Sequence, residues 1–182
     1  MKRFLLGILV VFFMFSFVGC GLVEEFKSTE QKELDTVSEL ESSLSKHDVK
    51  VISTNYLVQS EDNKILAPDM LQCIIQNNSG YTIKDAVIAF VAWDEYNYPV
   101  KIKGRLSIAG ESYVSQCEYE DINIMPGQRF GDEHGLALSH DCSNIKKFKA
   151  IVVSYEATDG TKWENPLYEK WVRLYENQKY ID

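Results

Sequence analysis

Beyond Asp48 the apolar and polar residues alternate with period two through most of the chain, the pattern of half-buried strands. In "VKVISTNYLVQ" the alternation places Ile52, Tyr56 and Val58 on one face, with Thr54 between them. "MLQCIIQNN" follows, with Leu71, Cys73 and Ile75 alternating, and "NNSG" at 77–80 reads as a turn. The run "IKDAVIAFVAWD" at 83–94 sends Val87, Ala89, Val91 and Trp93 one way and Ile88, Phe90 and Ala92 the other. Apolar residues on both faces predict a central strand covered on both sides. "DEYNYP" at 94–99 reads as a hairpin connection with Asn97 in the left-handed conformation, and "VKIKGRLSI" as the returning strand. "SYVSQCEYEDINI" at 112–124 predicts a further strand and "MPGQ" at 125–128 a Pro-Gly turn. "IKKFKAIVVSYEATDGTKWENP" reads as a strand, an Asp-Gly hairpin and a return strand. Only the tail changes period: Leu167, Trp171, Leu174 and Tyr175 fall on one face of a short helix, suited to covering an open face or edge of a sheet. Short strands spaced by turns, with no long helix between them, predict a mainly β chain folded as an antiparallel sandwich or barrel.

Ahead of these strands the pattern is different. "MKRFLLGILVVFFMFSFVGC" has a basic start and then no charge from Phe4 to Val18, the form of a secretory signal peptide. "FVGC" resembles the lipobox of bacterial lipoproteins, with small Gly19 before Cys20 and Phe17 in place of the usual leucine. The resemblance implies cleavage before Cys20 and a diacylglyceryl group on its thiol. The competing reading is an uncleaved signal anchor, because the uncharged run from Phe4 to Val23 is long enough to span a bilayer. Lys2 and Arg3 stay inside in either case, so the body of the protein lies on the extracytoplasmic face of the cell membrane. Each buried methylene contributes about 0.8 kcal/mol, so two acyl chains hold a protein where one leaks off.

Residues 22–46 contain no Gly or Pro, and Phe26, Leu34, Val37, Leu40 and Leu44 recur at roughly helical spacing. They read either as an amphipathic helix that pairs with a partner or as a solvated, partly helical tether. The thin stripe, broken by Thr29 and Gln31, favours the tether. The expected organisation is a signal peptide at 1–19, an acidic tether at 20–47, and a β-sandwich domain with a C-terminal helix at 48–182.

Charge narrows the partners. The net charge of −8 becomes −10 once Lys2 and Arg3 are removed, and no Lys/Arg cluster exists to neutralise phosphates. This argues against nucleic acid and against direct binding to anionic lipid surfaces. Membrane attachment is left to the N-terminus.

The segments "MLQCIIQNNSGYTIKDAVIAFVAWDEYNYPVKIKG", "MPGQRFG" and "FKAIVVSYEATDGTKWENPLY" resemble an uncharacterised domain-of-unknown-function family of Gram-positive bacteria, whose members often follow a zinc ribbon or a membrane segment. The order of strand, "NN", strand, turn and "PG" is also similar to FxLYD-type, immunoglobulin-like envelope domains. The match covers roughly residues 48–175, with "AFVAWDE" and "WENP" its most specific pieces. It implies an immunoglobulin-like β-sandwich at the cell envelope and no catalytic residues. The zinc ribbon is absent, and the lipobox stands in its place.

Candidate chemistry is sparse. With Cys20 committed to lipid, Cys73, Cys117 and Cys142 remain, an odd number, so at least one thiol is unpaired within the chain. A Cys73–Cys117 bridge between strands is one option; Cys73 as a small buried hydrophobe is the other. "DEHGLALSHDC" at 132–142 supplies Asp132, Glu133, His134, His140, Asp141 and Cys142, residue types that bind zinc. Its two histidines are six positions apart with Gly135 between, so a solvated loop is the stronger reading, with His134, His140 and Cys142 as weak metal candidates. The carboxylates Asp94, Glu95, Glu118, Glu120 and Asp121 suit hydrolysis only if folding sets them across a cleft. "NNS" at 77–79 is formally a glycosylation sequon and reads more simply as a turn. No G-x-S-x-G, phosphate-binding glycine loop or H-E-x-x-H is present. Tyr96, Tyr98, Trp163 and Tyr168 are the candidate ligand-contact aromatics, against a purely structural role for Trp163 and Trp171 in packing the C-terminal helix.

The expectation is a lipid-anchored extracytoplasmic binding or interaction domain of the bacterial envelope. It needs no cofactor and performs no catalysis, and its partner is an envelope protein, a glycan or a peptide. The alternatives are a metal-dependent enzyme using the 132–142 loop and a spacer or regulator of another membrane protein.

Overall fold

The structure is a computed structural model and describes residues 36–59, 67–106, 108, 110–140, 142 and 144–181. The expected signal peptide, Cys20, Asp141 and the part of the expected tether up to residue 35 lie outside the described residues. The chain divides into two compact units, Met1–Glu39 and Leu40–Asp182. Of the first, only residues 36–39 are described, and they are helical. Helix α1 covers 36–44, and the second unit opens with its last turn. Among the described residues no helix is long and apolar enough to cross a membrane.

The second unit is mainly β, with two antiparallel sheets. In one, β1 (Val49–Leu57) pairs with β2 (Met70–Asn77), whose other edge takes β6 (Arg129–Phe130) and β7 (Gly135–Ala137) end to end. In the other, β3 (Ile83–Trp93) is flanked by β8 (Lys147–Ala157), which carries β9 (Lys162–Glu164). On the opposite edge β3 takes β4 (Pro99–Val100) and β5 (Ser115–Tyr119). The expected alternation holds in β2 and in the inner face of β3. Leu71, Cys73 and Ile75 of β2 meet Ile88, Phe90 and Ala92 of β3 in one buried core between the sheets.

The other face of β3 is covered as well. Ala89, Val91 and Trp93 are buried on it, and Trp93 packs against α2 (Tyr168–Tyr175), whose Trp171 and Tyr175 are buried. Tyr175 meets the Trp93 ring edge-on at 5.9 Å, and the Trp93 indole N–H donates to Gln178 O at 2.8 Å. Asn165 lies just ahead of this helix, whose N-cap is Leu167. Its side chain donates to Val152 O and accepts from Leu167 N, which fixes the "WENP" corner against β8. A C-terminal helix closing a sheet face follows from the tail pattern, because a strand apolar on both sides cannot leave one side in water.

The turns agree with their chemistry. Asn97 has φ 66°, and Gly127, third residue of the "MPGQ" turn, has φ 81° with Gln128 N bonded back to Met125 O. Other expectations are corrected. A register shift between Val51 and Ser53 turns Ile52 outward, 45% exposed, and Val49 and Val51 pack inward instead. "VKIKGRLSI" forms only the two-residue β4 and the isolated bridges Ile102–Ser112 and Gly104–Leu138. The 132–142 stretch is not simply a loop, since Gly135–Ala137 is a strand.

Candidate functional site

Antiparallel pairing leaves the β5 edge without a described strand and the nearby β7 edge only partly covered. β5 gives one edge to β3 through residues 115–119. Among the described residues no strand takes its other edge. β7 pairs with β2 through 135–137, and among the described residues its outer edge meets the 103–105 segment, where Arg105 N donates to Ala137 O at 2.8 Å. Between these two edges lies a cavity of about 940 Å³. Met70, Val114, Leu136 and Ala137 give it apolar walls, and Cys117 reaches it from β5. Leu106 also lines it and is 90% exposed, as is Ile108 almost entirely.

Two glycines bring β7 this close. A side chain on Gly135 would place its Cβ 2.1 Å from Leu71 O, and one on Gly131, at φ 121°, would meet Cys73 O at 2.1 Å. Backbone can approach backbone here only without a Cβ. Tyr119 bolts the two sheets beside this point, its hydroxyl donating to Cys73 O at 2.9 Å with His134 O at 3.3 Å. Burial pushes the Tyr119 phenol well above its ordinary range. The Cys117 thiol is pushed up to about 12, first by burial and then by the Glu118 charge. Among the described residues Cys73, Cys117 and Cys142 form no disulfide, so the Cys73–Cys117 bridge is not made.

Side chains of β5 alternate across this edge. Ser115 and Cys117 are half-buried and Tyr119 is buried, whereas Gln116, Glu118 and Glu120 are exposed on the outer face. That face carries a second hollow of about 460 Å³ where Asp85, Glu118, Glu120, Asp121, Glu156 and Glu164 gather. Its two lysines are already held: Lys84 bonds Asp85 at 2.8 Å and Lys162 bonds Glu156 at 2.9 Å. The Lys84 ion pair, with a bond from Asp121 N, draws the Asp85 carboxyl below its usual range.

The residues singled out from sequence are dispersed. Tyr96 and Tyr98 are exposed at the β3–β4 hairpin, with Lys179 over the Tyr98 ring at 5.5 Å. Trp163 sits toward the opposite end of β8, stacked on Tyr155 at 5.1 Å and touched by His47. Tyr168 opens α2, where its hydroxyl accepts from the Gln116 side chain at 2.8 Å. These four do not form one platform. Of the metal candidates, His134 packs on Phe130 before β7, while His140 and Cys142 follow that strand. Among the described residues no three His, Cys, Asp or Glu side chains converge to hold a metal. The β5–β7 groove was invisible to motif reading. Its one sequence signal is the alternation of "GLAL" after a close-packing glycine.

The fold has a counterpart. A hypothetical protein from Peptoclostridium difficile 630, known from a 1.85 Å X-ray structure, aligns with a TM-score of 0.59 over 75% of this chain and 95% of its own. Identity is 15%, so the likeness is one of fold. Comparison with curated proteins finds no match. Residues 70–178, from β2 through α2, match a family of unknown function, DUF5780, and because that span is more than half of the sequence, the chain belongs to this family.

Proposed function

We propose that the chain is a lipid-anchored, extracytoplasmic binding module of the bacterial envelope that takes its ligand in the groove between β5 and β7. The observation that carries this reading is the cavity of about 940 Å³ with apolar walls between the edge of β5, which no described strand takes, and β7. Pockets that mix apolar lining with a few polar groups are the usual place for ligands. The two sheets with a shared core support an immunoglobulin-like sandwich of the FxLYD type. "FVGC" supports anchoring through a diacylglyceryl group on Cys20.

Two measurements on the full chain test it. Alkyne-tagged fatty acid fed to cells should label the wild type and not Cys20→Ala, and protease added to intact cells should cut the β domain. Label that persists on Cys20→Ala, or a domain that is shielded, rejects the anchoring. An environment-sensitive apolar dye should bind the purified chain and be lost in Ala137→Trp, which fills the groove. Unchanged dye binding in a folded Ala137→Trp chain rejects the groove.

A further inference from the structure

We infer that the ligand of this groove is an extended polypeptide segment that adds to β5 as a further strand, with apolar and basic residues at alternate positions; this rests on the groove reading above. The first reason is the backbone. In a β-ladder alternate N–H and C=O groups point to the far edge, and on β5 no described strand takes them. Proline, bulges, shortness and charged side chains all blunt such an edge; β5 is five residues long and carries Glu118, so the strand it accepts must be short and complementary in charge. "SQCEY" contains no proline, and its register with β3 is unbroken from Ser115 to Tyr119. A strand seated about 4.8 Å beyond β5 would lie in the cavity mouth between β5 and β7.

The second reason is the side chains. An added strand inherits the alternation of β5. Its inward residues would enter the cavity among Val114, Cys117 and Leu136, which favours apolar side chains. Its outward residues would stand beside Gln116, Glu118 and Glu120 on the acidic face. Lys84 and Lys162, the lysines of that face, are already bound to Asp85 and Glu156. Opposite charges on neighbouring strands attract, so the outward positions favour Lys or Arg. The same charges disfavour a second copy of this chain, since pairing β5 with β5 would bring Glu118 near its own counterpart.

The test uses the full chain and a labelled, capped Val-Lys-Val-Lys-Val-Lys-Val peptide. A peptide of the same composition in block order and an alternating Val-Glu peptide are the controls. The alternating Val-Lys peptide should bind at least about tenfold more tightly than either control. Hydrogen exchange at the Ser115–Tyr119 amides should slow on binding. The double variant Glu118→Lys with Glu120→Lys should exchange its preference for the Val-Glu peptide. Equal binding of the block peptide, or unchanged exchange at β5, overturns the inference. Dye binding that Ala137→Trp abolishes, without peptide binding, overturns this inference and leaves the binding groove standing. Loss of both overturns the groove reading too.

Discussion

The Tyr175 hydroxyl donates to Glu41 Oε1 at 2.7 Å, and Lys149 Nζ reaches the same oxygen at 2.7 Å. One carboxylate of α1 thereby joins α2 and β8. Burial, and then the bond to Glu41, pushes the Tyr175 phenol far above its ordinary range, so it remains a donor at any working pH. Glu41 itself is partly in water, which limits the contribution of its bonds. Tyr175→Phe keeps the ring against Trp93 and removes only the hydroxyl, so the expected loss is about 1 kcal/mol. Thermal unfolding reads this as a melting temperature lower by roughly 2–4 °C. Trp171→Ala removes a fully buried ring from the same layer and should cost about 3–5 kcal/mol. Equal losses for the two variants would show that the hydroxyl, not the apolar layer, holds α2 down.

Asn77 is fully buried, and its side chain serves two turns at once. Its amide donates to Tyr81 O at 2.8 Å and Ile124 O at 2.9 Å, while its oxygen accepts from Ser79 N and Ser79 Oγ. Asn77→Ala takes the partner from Ser79 N, while Ile124 O keeps Ile83 N and Tyr81 O keeps Ser79 Oγ, and should cost about 1–3 kcal/mol. Denaturant titration of Asn77→Ala beside the exposed Asn78→Ala separates the two positions of "NN". If both variants unfold at the wild-type midpoint, the network contributes nothing.

Long strands were legible because side-chain period and burial coincide in them. β2 and β3 each carry several alternating apolar residues, and the two apolar faces of β3 announced a second covering layer, which α2 supplies. Short elements were not legible. Three residues of β7 give no period, and the phase change at Ile52 comes from a register shift that local sequence does not mark. The groove was beyond reach for a different reason. It is bounded by the β5 edge, which no described strand takes, and by the partly covered β7 edge, a property of the assembled sheets. "NN" and "WENP" stood out as pattern, but their physical content, Asn77 and Asn165 bonded to distant carbonyls, appears only on folding.

Gly135 allows β7 to lie on β2. Adding a methyl there drives Cβ into Leu71 O, and neither backbone can yield without breaking the ladder. Gly135→Ala should therefore be among the most damaging single changes and should also widen the groove. Gly80→Ala, with open space around its Cβ, is the control. Soluble yield and melting temperature should fall for Gly135→Ala and stay near wild type for Gly80→Ala; the reverse order would refute the close approach.

Thiol chemistry gives a direct reading of burial. With its pKa raised to about 12, Cys117 is thiolate in about one molecule in ten thousand at pH 8. Cys73 is pushed higher still, by burial and by the neighbouring Cys117. Iodoacetamide at pH 8 should therefore modify Cys142 first, with Cys73 and Cys117 following only after denaturation. Mass spectrometry of timed digests decides this, and early modification of Cys73 would mean that the inter-sheet core opens.

His47 contributes to the acid side of the stability profile. Burial beside Trp163 lowers its pKa below the ordinary 6.5, with Asp48 opposing the shift. The unfolded chain therefore binds a proton that the folded chain refuses. The associated stability is complete above pH 6.5 and is lost as pH falls through the folded value. Asp85, lowered chiefly by its bond to Lys84, adds a second loss in the same direction below its ordinary 3.8. Melting temperatures of the wild type should decline between pH 7 and pH 5. His47→Gln should flatten that decline whatever its absolute stability, because the slope reports the proton and not the packing. An unchanged slope in His47→Gln would assign the decline to another group.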